Sequence, residues 1–249
     1  MRKMLLNIYV LLFSLMFICC SKQADNNANA SGSTGIGGSL ARFTIVNDYL
    51  YLADDMTLNV YKITNLANPT FTSKVFVGNS VETIYPYDGK LFIGSQFGMY
   101  IYSLTNPESP VKLGEALHVR SCDPVVAKDT FAFVTLRSGT VCGSATNALY
   151  SYNVKNVSSP LLLNVLNLPK PTGLGYKDTT LFVCCEDSGL AVINIKNPKM
   201  PVVKRFIKTN TFYDVIPIND LLICMVKTGI DLYDIKDVNY VNLLKHIDN

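Results

Sequence analysis

The chain contains no tryptophan, only two histidines, and few charges: 16% of its 249 residues are Asp, Glu, Lys or Arg. Each scarcity removes a class of function. With only His118 and His246 available, a histidine-rich metal centre has too few ligands. Neither histidine has an evident serine or cysteine partner for nucleophilic catalysis. The net charge is +3, and it falls to 20 − 19 = +1 without Arg2 and Lys3, which leaves no electrostatic footprint for nucleic acid. No Gly-rich phosphate loop joins a strand to a helix, and beyond residue 40 no stretch sustains a helical apolar period. No metal and no cofactor are expected. What remains is an apolar composition, 49%, rich in Val, Ile, Tyr, Phe and Thr, which suits half-buried pleated strands.

The amino terminus reads as an address. MRKMLLNIYVLLFSLMFICCSKQ carries a basic pair and then an apolar run, Met4 to Ile18, that is shorter than the roughly twenty residues of a bilayer span and has the layout of a secretory signal. Phe17-Ile18-Cys19-Cys20 resembles a bacterial lipobox. Cys20 is the better acylation site, because Cys19 then supplies the small residue before the cut, with Cys19 itself the alternative. An uncleaved anchor helix is the competing reading. Residues 1–19 are thus read as a lipoprotein signal peptide and residues 20–39 as a flexible Gly/Asn/Ser-rich tether. The folded domain spans residues 40–249.

Within that domain one phrase recurs. GMYIYSLTNPESP at 98–110 returns as GLAVINIKNPKMP at 189–201. The short strands YLYLAD, KLFIGS, TFAFVT, TLFVCC and DLLICM align on Leu50, Leu91, Phe131, Leu181 and Leu221, at spacings of 41, 40, 50 and 40. Each is preceded by one strand and followed by two more, joined by turns rich in Asn, Asp, Gly and Pro. Four strands per forty residues, repeated five times, specify antiparallel meanders that bury both faces only by stacking. The expectation is an all-β, five-bladed β-propeller, with blades at about 40–78, 79–119, 120–169, 170–209 and 210–249. Blade 1 is expected to close the ring by packing on blade 5 without exchanging a strand. An open stack of five units is the competing architecture, and the sequence lacks the polar end caps it requires.

The stretches GLAVINIKNPKMP, GMYIYSLTNPESP and GIDLYDIKDV resemble the LVIVD repeat. That family consists of predicted secreted or surface β-propeller proteins of bacteria, including many Bacteroidetes lipoproteins. The resemblance covers the chain beyond residue 40. It implies a propeller fold and an outer-membrane location, periplasmic or surface-exposed, and no particular reaction.

The third copy is irregular. LRSGTVCGSATNA, residues 136–148, is about ten residues longer than its counterparts, and binding tends to settle on such insertions. Cys142 lies in it, and Cys122 begins the first strand of the same copy. Meander topology places both at one end of the blade. In an exported protein a Cys122–Cys142 disulfide is the expectation, with two free thiols the alternative. Cys184 and Cys224 align with one another and with Ala53, Gly94 and Val134, and together with Cys185 they read as buried core thiols.

Candidate chemistry follows from the same end. Glu82, Asp123 and Asp214 lie near the starts of first strands, but nine, eight and seven residues before their aligned positions, so they point to alternate faces and do not converge as a glycosidase pair. Glu186 and Asp187 read as solvated turn acids. The favoured reading is a lipid-anchored binding or scaffold module, not an enzyme, whose contact face holds Asp123, Arg137, Phe212 and Tyr213 and takes a glycan, peptide or protein partner. Arg137 pairing with Asp123, and blade-to-blade packing of the aromatics, are the structural alternatives. A hydrolase using carboxylates at that face is the alternative function.

Overall fold

A computed structural model describes residues 38–78, 80–118, 124–139 and 145–249. They form a β-propeller of five four-stranded antiparallel sheets, each made of consecutive strands. Blade 1 is β1 (Phe43–Val46), β2 (Tyr49–Asp54), β3 (Thr57–Lys62) and β4 (Thr70–Phe76). Blade 2 is β5 (Val81–Tyr87), β6 (Lys90–Ser95), β7 (Gly98–Ser103) and β8 (Val111–Leu117). Blade 3 is β9 (Val125–Lys128), β10 (Phe131–Leu136), β11 (Ala148–Asn153) and β12 (Leu161–Asn167). Blade 4 is β13 (Leu174–Lys177), β14 (Thr180–Cys184), β15 (Leu190–Asn194) and β16 (Val202–Ile207). Blade 5 is β17 (Phe212–Ile218), β18 (Leu221–Val226), β19 (Gly229–Asp234) and β20 (Asn242–Asp248). No strand is exchanged between blades, as the order of the repeats implied.

Local chemistry fixes the repeat. The first hairpin of every blade turns on Asn47, Asp88, Asp129, Asp178 or Asn219, each at a φ between 48° and 54°. Asn and Asp tolerate this left-handed backbone, and a two-residue turn of that kind matches strand twist. Each outer strand carries a bulge at the same place, where Thr72, Leu113, Leu163, Lys204 or Leu244 is the unpaired residue.

The residue after the bulge reaches the next blade. Ser73 Oγ donates to the Glu108 carbonyl at 2.5 Å, Asn164 Nδ2 to Lys199 at 3.1 Å, and Arg205 to Asn239 at 2.5 Å. Gly114 occupies this position in blade 2, and a Cβ there would collide with the Val157 carbonyl. Only glycine lets the strand approach the neighbouring turn so closely.

Hairpin pairing corrects the sequence alignment by one residue in two blades. Tyr49, Lys90, Phe131, Thr180 and Leu221 all open their second strands opposite the last residue of the first. Leu50, Leu91 and Leu181 therefore correspond to Ala132 and Leu222, not to Phe131 and Leu221. Cys224 consequently matches Val183, and Cys184 matches Met225. A one-residue shift reverses the face. Cys184 points from blade 4 toward blade 5 and Cys224 points back, so the two share one buried cluster.

Four clusters of this kind join blades 1–2, 2–3, 3–4 and 4–5. No corresponding cluster joins blade 5 to blade 1 among the described residues. In the second strand, Ile93, Val134, Val183 and Cys224 are fully buried against the preceding blade, whereas Leu52 at the same position of blade 1 is 37% exposed. Their first-strand partners Ile84, Val125, Leu174 and Val215 are likewise buried, but Phe43 is 56% exposed. On the opposite face, Leu58, Met99, Leu149 and Leu190 are fully buried against the following blade, while Ile230 of blade 5 is 40% exposed. The expected packing of blade 1 on blade 5 is thus not made by these side chains. Lys245, the residue after the bulge in blade 5, makes no clasp to blade 1 among the described residues.

Candidate functional site

The upper rim is the end where first strands begin and second strands turn into third. Arg137 follows β10 of blade 3, and its guanidinium pairs with the carboxylate of Glu186, in the turn after β14 of blade 4. Lys170, in the connection before β13, approaches the other Glu186 oxygen at 3.7 Å. Glu186 is held at φ 43°, and its carbonyl accepts the Phe212 amide of blade 5 at 3.3 Å. Beside it Asp187 Oδ1 accepts a hydrogen bond from Thr211 Oγ1 at 2.7 Å. One acidic turn therefore ties three blades together.

This places the anticipated residues differently from their sequence reading. Glu186 is not a solvated turn acid: its side chain is 20% exposed and is shared by two cations. Asp187 is exposed as anticipated. Phe212 is fully buried, its ring 6.3 Å from that of Tyr233, so it offers no surface to a ligand. Tyr213 is half-buried at a bulge, and its carbonyl accepts the Gly173 amide at 2.9 Å. Asp123, Cys122 and Cys142 lie outside the described residues, as do Cys19 and Cys20. The base of the blade 3 insertion is closed by Asn147, which accepts from the Ser138 amide at 3.0 Å and donates to its hydroxyl at 2.6 Å.

The axis holds what the sequence reading missed. Gly38 and Ser39, read there as the end of a tether, are buried in the fold. Ser39 Oγ accepts the Leu174 amide of blade 4 at 2.7 Å and donates to Asp214 Oδ1 of blade 5 at 3.2 Å. The Ala41 carbonyl accepts the Ile84 amide of blade 2 at 2.9 Å. Residues 38–41 thus link the inner strands of blades 2, 4 and 5. A Cβ at Gly38 or at Gly173 would collide with the Asp214 carboxylate, so these two glycines make the space it occupies.

Burial pushes Asp214 up to about 6, against the opposing pull of hydrogen bonds from the Val215 amide, Ser39 and the Leu40 amide. The bulges also alter the expected offsets. Asp214 pairs with Met225 as Thr83 pairs with Gly94, so Glu82 corresponds to Tyr213 and not to Asp214.

The three described cysteines are free and buried. Burial raises the Cys184 thiol well above its ordinary value and Cys185 to about 12, which keeps both protonated and unreactive at neutral pH. Among the described residues no group of three or more His, Cys, Asp or Glu side chains is arranged to hold a metal ion.

At the lower rim the blade seams differ in one atom. Tyr51 OH donates to the Pro107 carbonyl at 2.9 Å across the groove between blades 1 and 2. In the next two seams the corresponding residues are Phe92 and Phe133, and cavities of about 100 and 110 Å³ remain. Between blades 4 and 5 the groove is spanned by Lys177, which donates to Asp220 at 2.5 Å and to the Ile235 carbonyl at 2.9 Å.

No family profile and no curated relative matches the chain. Solved propellers do. A protein of unknown function from Desulfotomaculum acetoxidans DSM 771 is similar at 12% identity and a TM-score of 0.64, over 86% of this chain and 68% of that one. A Lactobacillus plantarum protein is similar at 13% identity and 0.62, over 81% and 68%. Citrobacter koseri AztD is similar at 13% identity and 0.57, over 85% and 61%. The computationally designed Ika8 protein matches at 0.59, and the chain spans only 59% of its length. At these identities the likeness is one of fold.

Proposed function

We propose that the protein is a lipid-anchored interaction module of the LVIVD-repeat type. Acylation at Cys20, or at Cys19, holds it at a membrane, and the upper rim of blades 3 to 5 presents Arg137 and Tyr213, beside the two ends of the blade 3 insertion (136–139 and 145–148), to a glycan, peptide or protein partner. The observation that carries this reading is the occupation of the axis by the chain itself. Glycoside hydrolysis needs two carboxyls about 5 to 9.5 Å apart with room for a sugar between them. Asp214, the axial candidate, is instead enclosed by Gly38, Ser39 and Gly173 and accepts three hydrogen bonds from the fold.

A glycan and peptide array probed with the wild-type chain and with Arg137→Glu and Asp214→Asn variants tests the reading. Retained binding by Asp214→Asn, weakened binding by Arg137→Glu and no turnover of bound glycans are expected. A second reading, hydrolysis, is favoured by the elevated Asp214, since a carboxyl near 6 suits a general acid. Glycan turnover that disappears in Asp214→Asn would establish it. Palmitate incorporation lost in Cys20→Ser but kept in Cys19→Ser tests the anchor.

A further inference from the structure

The fifth seam is lined by two sheet faces, not by a pocket. One wall is the back of blade 1, with Phe43 and Leu52, and the other is the front of blade 5, with Met225 and Ile230. Met225 is 49% exposed, while its counterparts Ala53, Thr135 and Cys184 are buried. Every one of these positions is covered by a neighbouring blade wherever the molecule supplies one. The walls are therefore the two unused halves of an interface that the chain makes four times over. On the back of blade 1 Leu52 pairs with Asn59 and Asn59 with Lys74, so this wall is apolar at its two inner strands and polar further out.

We propose that this seam is a docking site for a β-sheet that is apolar on both faces, contributed by a partner protein other than a second copy of this chain. The inference rests on the reading of the protein as an interaction module, and it names the partner chemistry for a second face of it. Sheets pack face to face through side chains, and at each of the other four seams these same positions are covered by a sheet, so a third sheet matches both walls. Continuity with the four existing interfaces sets the chemistry. Blade 2 displays what the occupant must resemble, since Leu91 and Ile93 on one side and Phe92, Met99 and Ile101 on the other are all buried. Residues 38–41, which lead into blade 1, bond to blades 4 and 5 at the axis and so bridge the inner ends of the two walls.

Leu52→Cys and Met225→Cys, made singly in the full chain, report on the two walls. Maleimide incorporation at each residue is read by mass spectrometry in the purified protein, in intact cells, and in the purified protein carrying a second copy of residues 80–118 after Asn249. Fast labelling of the purified monomer is expected, with labelling at residue 225 roughly tenfold slower or more both in cells and with the added blade. Leu91→Lys and Ile93→Lys in the added copy alone should restore fast labelling.

Three results overturn the proposal. Slow labelling of the purified monomer means that blades 1 and 5 close on each other. Slow labelling of a purified dimer means that a second copy is the occupant. Fast labelling in cells means that nothing docks there. Because the array measures the upper rim and not residues 52 or 225, a failed footprint beside a positive array removes the seam and leaves the interaction module standing.

Discussion

Four seams of this propeller and the fifth are written in the same repeat, yet they behave as different materials. Ile93 of blade 2 and Leu52 of blade 1 hold the same register position and the same kind of side chain. One is fully buried and the other is 37% exposed. The difference is not in propensity or pattern, which are shared, but in whether a neighbouring sheet arrives. A blade's stability is thus largely borrowed from its neighbours, as in other repeat architectures.

The widest test of that contrast is a pair of truncations. Ile93→Ala should cost about 2–5 kcal/mol and Leu52→Ala under about 1 kcal/mol, read from urea midpoints at constant slope. Equal costs would mean that the fifth seam is packed like the rest.

The axis provides the next contrast, because one carboxylate there serves as a lock made at some expense. Asp214 binds its proton more tightly folded than unfolded, about 6 against 3.8. Its linked stability is therefore fully present below about pH 4 and is lost as pH rises through 6. Taken alone, lowering the pH from 7 toward 4 should add on the order of 2–3 kcal/mol. Asp214→Asn should remove that slope, which pH-dependent urea titrations of the two proteins would detect by difference.

Smaller effects sharpen the comparison at single bonds. Ser73→Ala removes one clasp and leaves the Glu108 carbonyl without it, at about 1–2 kcal/mol, whereas Lys245→Ala should be near neutral because Lys245 makes no clasp to blade 1 among the described residues. Phe92→Tyr and Phe133→Tyr should each add about 0.5–1 kcal/mol by placing a hydroxyl, bonded as Tyr51 is, in the cavities of those seams. A destabilising tyrosine at either position would show that the seams are less alike than their register implies.

Much of this was legible in the residues. The recurrence of Asn or Asp before the second strand, and the alternating runs on either side, were enough for five four-stranded blades. Register was not, because DLLICM and TFAFVT are apolar at neighbouring positions and accept either alignment. Only the two-residue turns decide, and they place Cys184 and Cys224 face to face instead of side by side. The site was less legible still. Arg137 and Glu186 lie 49 residues apart and meet because two rim turns adjoin. Nothing near residue 38 announces that Ser39 will bond to residues 174 and 214. Such pairings come from the meeting of separate blades at the rim and the axis and leave no periodic trace. A glycine at 38 and another at 173, the two places where a Cβ would strike Asp214, were the only available hint.

The strap of residues 38–41 also orders events during synthesis. These residues leave the ribosome before any blade exists, yet their partners are separated from Ser39 by 135 and 175 positions. At about 5–20 residues per second, the emerging chain waits on the order of ten seconds or more for Asp214. Ala41 can bond to Ile84 once blade 2 has formed, whereas Ser39 reaches Asp214 only with blade 5, so a chain stalled before blade 5 lacks its keystone.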